Sequence, residues 1–99
     1  MEPSSSVILN VDDTAANLYA KTRVLRHAGF TVLEAQTGME ALALATNLQP
    51  ALVLLDVHLP DISGFEVCRQ LKHTPHTAHL LVLQISASFV EVHDKTRGL

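Results

Sequence analysis

The chain has 99 residues, 47% apolar and 17% charged, with four glycines, four prolines and one cysteine, a balance that fits one domain with one core and excludes a disordered or fibrous chain. A formal charge of −3 with only seven Lys and Arg argues against a nucleic-acid surface, and the longest apolar runs, Ala41 to Ala45 and Ala51 to Leu55, are far too short to span a membrane. The lone Cys68 excludes an internal disulfide, and the first six residues lack the pattern of a secretory signal, so a cytoplasmic domain over residues 7–99 is expected behind a disordered tail of residues 1–6.

In chain order, Val7 to Val11 reads as a β-strand that stops at Asp12 and Asp13. From Thr14 the spacing turns helical: Ala15, Leu18, Thr22 and Leu25 share a stripe, with Lys21, Arg23 and Arg26 elsewhere on the surface. Gly29 supplies a left-handed cap. Thr31 to Ala35 is a second strand, Met39 to Leu48 a second helix stopped before Pro50, and Ala51 to Leu55 a continuously apolar strand of the kind covered on both faces. That strand also ends in a carboxylate, Asp56. A loop containing Pro60, Asp61 and Gly64 leads to a third helix with Phe65, Cys68 and Leu71 inward. Leu80 to Ile85 is a fourth strand ending at Ser86. Phe89, Val92, Thr96 and Leu99 then predict a fourth helix.

The order βαβαβαβα specifies an α/β fold, an open parallel sheet with helices on both faces. Such sheets bind ligands at the carboxyl ends of their strands, where Asp12, Asp13, Asp56 and Ser86 fall. Three carboxylates at one edge repel each other, and an oxygen-only set suits Mg²⁺, Mn²⁺ or Ca²⁺ better than zinc. An Asp beside such an ion can attack phosphorus, while the Ser86 hydroxyl can hydrogen-bond a phosphoryl oxygen and Ala87 leaves room for the group. Asp12 and Asp13 also suit a plain helix-capping reading. Ser86 also suits a turn.

The acidic pair Asp12-Asp13, the stretch Leu54-Leu55-Asp56-Val57-His58-Leu59-Pro60-Asp61-Ile62-Ser63-Gly64 and the run Ile85-Ser86-Ala87 together resemble the receiver domain of two-component response regulators. The resemblance covers Val7 to Leu99. It implies a flavodoxin-like fold, truncated, with strand order 2-1-3-4, and a phosphoacceptor module rather than an enzyme. Asp56 would take a phosphoryl group from a sensor histidine kinase or phosphotransfer domain. Asp13 and Asp56 would hold Mg²⁺ (or Mn²⁺) with the main-chain carbonyl of His58, Asp12 acting partly through water, and Ser86 would be the switch hydroxyl.

One departure stands out. The family's fifth strand, ending in a phosphate-binding lysine before proline, has no counterpart, and Lys95 is no substitute; the domain is therefore expected to be C-terminally incomplete. Weakened phosphorylation and an exposed fourth-strand edge prone to self-association are the expected consequences. A docking domain with impaired phosphorylation is the alternative function. A metal-dependent phosphatase is disfavoured because His58 stands where such an enzyme would carry its acid. His73, His76 and His79 are regularly spaced, but Pro75 interrupts them and a solvated loop accounts for them better than zinc. Cys68 is expected in the core, and Gln84 is an unexplained polar residue in an apolar strand.

Overall fold

A computed structural model describes residues 7–85 and the backbone of residues 90–93. The expected disordered tail, residues 1–6, and Ser86 lie outside the described residues. The elements are β1 (Val7–Val11), α1 (Ala15–His27), β2 (Thr31–Ala35), α2 (Gly38–Leu48), β3 (Leu52–Asp56), α3 (Gly64–His73), β4 (Leu81–Ile85) and β5 (Val90–His93). The sheet order is β2-β1-β3-β4-β5. The first four strands are parallel, as the alternating pattern predicts.

One expected element differs. Where apolar spacing predicts a fourth helix, Val90–His93 is a strand antiparallel to β4, with Ile85 opposite Val90. Two forces favour that outcome. Val90 and Val92 are β-branched residues at alternate positions, and β4 presents an unpaired ladder of N–H and C=O groups that a returning strand satisfies. In consequence β4 is not the edge of the sheet, and the association expected along its bare edge has no such edge to use.

The helices start and stop for local reasons. Thr37 and Ser63 are N-caps whose side chains accept from the N–H groups of Glu40 and Glu66, both at 3.1 Å. Gly29 follows α1 with φ +104°, the left-handed cap read from the sequence. Gln49 closes α2 in the same left-handed region, φ 49°, a conformation costing a non-glycine residue about 1 kcal/mol. Its amide nitrogen offsets this by donating to the carbonyl oxygens of Thr46 and His76 at 3.2 Å, tying the helix end to the turn beyond α3.

The core lies on one face of the sheet. Leu9, Val11, Val53, Leu55 and Val82 point from the strands toward α2 and α3, meeting Ala41, Ala45, Val67, Cys68 and Leu71. Cys68 is buried as expected. Phe65 is not: it is more than half exposed, and Val67 takes the inward position assigned to it. The α3 stripe is therefore Gly64, Val67, Cys68 and Leu71, at i, i+3, i+4 and i+7. Burying one such Leu or Val stabilises the fold by about 1.5–3 kcal/mol.

The opposite face is covered unevenly. Over β1, α1 lays down Leu18 and Thr22, and Asn10 pins it there by donating to Leu18 O at 3.2 Å and Thr22 Oγ1 at 3.0 Å. Farther along the sheet, β3 and β4 alternate buried with half-buried residues, so Leu52, Leu54, Leu81, Leu83 and Ile85 stay partly open. The continuous apolar run of β3 thus has one buried face, not two.

Candidate functional site at the carboxyl edge of the sheet

The register of β1 and β3 sets the site. Val11 is level with Leu55, so the next residues, Asp12 and Asp56, leave neighbouring strands side by side. Asp12 continues the ladder, donating its N–H to Ala35 O at 3.0 Å. Asp13 follows on the loop into α1. One carboxylate oxygen from each of Asp12, Asp13 and Asp56 lies within 4.8 Å of the others. Among the described residues, this trio is the group of His, Cys, Asp and Glu close enough to share an ion.

Each carboxylate has a different environment. Asp12 is buried, Asp56 half-buried and Asp13 exposed. Asp12 Oδ1 accepts from Thr14 N at 3.0 Å, an Asx turn that carries the chain into α1. Asp12 Oδ2 is 2.9 Å from Lys21 Nζ. Asp13 Oδ1 receives only a long bond, 3.4 Å, from Thr14 Oγ1. Asp56 Oδ1 accepts from His58 N at 3.2 Å, which bends the chain away after β3. The N-cap of α1 is Thr14 and no acid lies in the first turn, so the capping reading of the acidic pair does not describe this structure.

Lys21 was not legible as part of the site. The sequence placed it on the helix surface, away from the apolar stripe. A helical side chain, however, leans toward the N-terminus of its own helix, and from two turns into α1 that direction leads back to Asp12. Its stem is partly covered, and the side chain is 27% exposed.

Two further residues shape the pocket. Gly64 opens α3 directly against the end of β3: a Cβ there would sit 2.3 Å from Asp56 O and 2.7 Å from Val57 Cα. Its N–H donates to Val57 O at 2.9 Å. Asp61, read from the sequence only as a loop residue, accepts from Gly38 N at 2.7 Å and Met39 N at 2.8 Å, fastening the loop after β3 to the start of α2. The Gly38 N–H first and the Met39 N–H second hold its carboxyl below the ordinary 3.8.

His58 is exposed beside Asp56. Ser86 follows Ile85, the register partner of Asp56, but is itself outside the described residues. His73 and His76 do not converge on an ion. His73 Nδ1 meets Arg69 O at 2.8 Å and His76 Nε2 meets Thr46 O at 3.2 Å, both helix carbonyls.

A sheet whose first four strands are parallel, with an acid trio at the carboxyl ends of two central strands, defines an open α/β domain with its candidate site where such sheets bind ligands. The chain belongs to the response regulator receiver domain family, whose model matches residues 8–97. It is 38% identical over 91 residues to the DNA-binding dual master transcriptional regulator RpaA of Synechocystis sp., covering 92% of this chain and 37% of RpaA. Among solved structures it resembles a CheY-like receiver domain protein of Methanospirillum hungatei, with TM-score 0.79 and 29% identity, covering 87% of this chain and 67% of that one. The response regulator TrrA of Thermotoga maritima, solved in complex with Mg²⁺–BeF, matches with TM-score 0.78 and 28% identity over 83% of this chain and 70% of TrrA. The chain thus spans well under half the length of RpaA. It is a signalling domain of two-component systems, with a flavodoxin-like fold.

Proposed function

We propose that Asp56 is the phosphoacceptor and that Asp12, Asp13 and Asp56, with the main-chain carbonyl of His58, hold a Mg²⁺ ion, for which Mn²⁺ can substitute. The observation that carries this reading is the convergence of three carboxylate oxygens within 4.8 Å. Two unit charges that far apart cost about 1 kcal/mol in water and about 3.5 kcal/mol at an effective dielectric of about 20, which favours a cation among them. The donor set is all oxygen, the chemistry of Mg²⁺ rather than zinc. When bound, the ion offsets charge on the oxygens of the transferring phosphoryl group.

The chain's own residues do the rest. A carboxylate oxygen of Asp56 attacks phosphorus and forms the O–P bond as the N–P bond of a phosphohistidine breaks. The electron pair of that bond stays on the imidazole nitrogen, which takes a proton. The His58 N–H on Asp56 Oδ1 fixes the carboxylate's orientation, and Gly64 keeps the approach to the end of β3 open. Ser86 is the proposed switch hydroxyl, donating to a phosphoryl oxygen. The partner is a sensor histidine kinase or phosphotransfer domain, and that partnership places the domain in the cytoplasm. No observation favours the docking alternative over this one.

The test is intact-mass measurement after incubation with acetyl phosphate and MgCl₂. One acid-labile phosphoryl group is expected, absent without the divalent ion and absent in Asp56→Asn. Unchanged labelling of Asp56→Asn would sink the assignment.

A further inference from the structure

We propose that Lys21 is a tethered cation that competes with the divalent ion for Asp12 and thereby sets the metal affinity of the pocket. The proposal rests on the phosphoacceptor reading in one respect, that the acid trio is a metal pocket. Asp12 is the most buried of the three carboxylates, and both its oxygens are engaged: Oδ1 by the Thr14 N–H at 3.0 Å and Oδ2 by the Lys21 ammonium at 2.9 Å. A carboxylate taken this far out of water needs a counter-charge. Lys21 supplies one from within the chain, on a flexible four-carbon stem that is anchored in α1 and reaches back along the helix.

Mg²⁺ entering the trio meets that ammonium at Asp12 Oδ2. The ion cannot share Asp12 Oδ2 with a positive group 2.9 Å away at no electrostatic cost, so entry of the ion requires Lys21 to swing outward. The side chain is 27% exposed, and a lysine stem of this length lets the ammonium turn toward solvent. The metal-free protein keeps Asp12 neutralised and ordered, and binding becomes an exchange of one cation for another. This separates two jobs that a bare acidic pocket would combine: holding the loop after β1 in place without metal, and binding metal weakly enough to respond to its concentration.

The test is calorimetric titration of the full chain with MgCl₂ and MnCl₂, comparing the parent with Lys21→Met, Lys21→Gln and Lys21→Arg. Asp13→Asn serves as the control for binding at the trio. Removing the ammonium is expected to tighten binding on the order of 5-fold in Lys21→Met, less than the full strength of a charge-assisted bond because the lysine is partly solvated. Lys21→Gln shifts in the same direction by less, and Lys21→Arg stays within about 2-fold of the parent. In thermal unfolding, Lys21→Met is expected to melt lower without metal and to regain more on adding Mg²⁺ than the parent does. A residue serving only to brace α1 would weaken metal binding when lost, so a gain is the diagnostic sign. Equal or weaker binding by both neutral variants overturns the proposal and leaves Asp56 labelling untouched. Failure of the parent and every variant to bind either ion overturns this proposal together with the metal pocket.

Discussion

A single methyl group at position 64 would have nowhere to go. The Cβ of an alanine there would fall 2.3 Å from Asp56 O and 2.7 Å from Val57 Cα, both backbone atoms that no side-chain rotation can move aside. Gly64 therefore sets how closely α3 can begin against β3, and with it the position of the Asp56 carboxylate. Gly64→Ala is expected to lose about 3 kcal/mol of stability, the upper part of the range for overpacking. The same substitution should impair phosphoryl labelling even at temperatures where it remains folded, since relief of the clash must displace the end of β3. Denaturant unfolding and intact-mass labelling check the two effects separately. A variant as stable as the parent would mean that α3 can pivot freely about Ser63. At the same scale, Gln84 is buried with its Nε2 unpartnered among the described residues, and nothing in the structure explains its polarity.

Asp61 shows how one loop residue couples elements. Its two oxygens take the N–H groups of Gly38 and Met39, orphan donors of the first turn of α2, from a loop that follows β3. Those donors depress its folded-state pKa below the ordinary 3.8. A depressed carboxyl contributes stability that is complete above its unfolded value and lost as the pH falls through the folded one. Asp61→Asn is therefore expected to be less stable than the parent at pH 7, the difference closing as pH drops below 3.8. Glu66, held at about 2 chiefly by its hydrogen bonds from Arg69 and then Gln70, loses its own contribution between its ordinary 4.5 and about 2 in both proteins, so it does not confound the comparison. Denaturant melts at pH 7 and pH 3 measure the gap, and a gap of constant size contradicts the assignment. Elements were legible from sequence where one period dominates: β1 and β2 emerge with the bounds read from Val7 to Val11 and Thr31 to Ala35. The stretch after Ser86 carries two periods at once, since Phe89, Val92 and Thr96 suit a helix while Val90 and Val92 suit a strand. Pairing with β4 decided in favour of the strand, a tertiary effect that local spacing does not encode. The acid trio was legible because strand ends in a parallel sheet converge. Lys21 and Asp61 were not, because their partners lie across a helix turn or a loop whose path depends on packing.

At the scale of the whole molecule, the two faces of the sheet are unequal. The α2–α3 side holds the continuous core, whereas on the other side α1 covers β1 and leaves Leu52, Leu54, Leu81, Leu83 and Ile85 half-buried on β3 and β4. Adjacent leucines on neighbouring strands, Leu52 beside Leu81 and Leu54 beside Leu83, make one contiguous apolar strip, and strips of that kind drive association or dye binding. The association expected from the sequence shifts accordingly from the edge of β4, which β5 pairs, to this face. The polypeptide of residues 1–99 is expected to bind a hydrophobic dye such as ANS in its folded state and to sediment as larger species when concentrated. Leu83→Lys places a charge in the middle of the strip while leaving the α2–α3 core and the acid trio intact. It should lower both signals at a cost of about 1 kcal/mol, because only half a side chain is withdrawn from contact. Divalent-ion binding by that variant should match the parent, since Leu83 lies two residues before the strand end that faces Asp56. Dye binding and sedimentation unchanged by Leu83→Lys would place the adhesive surface elsewhere, and a parent that neither binds dye nor associates would mean that this strip is covered in solution.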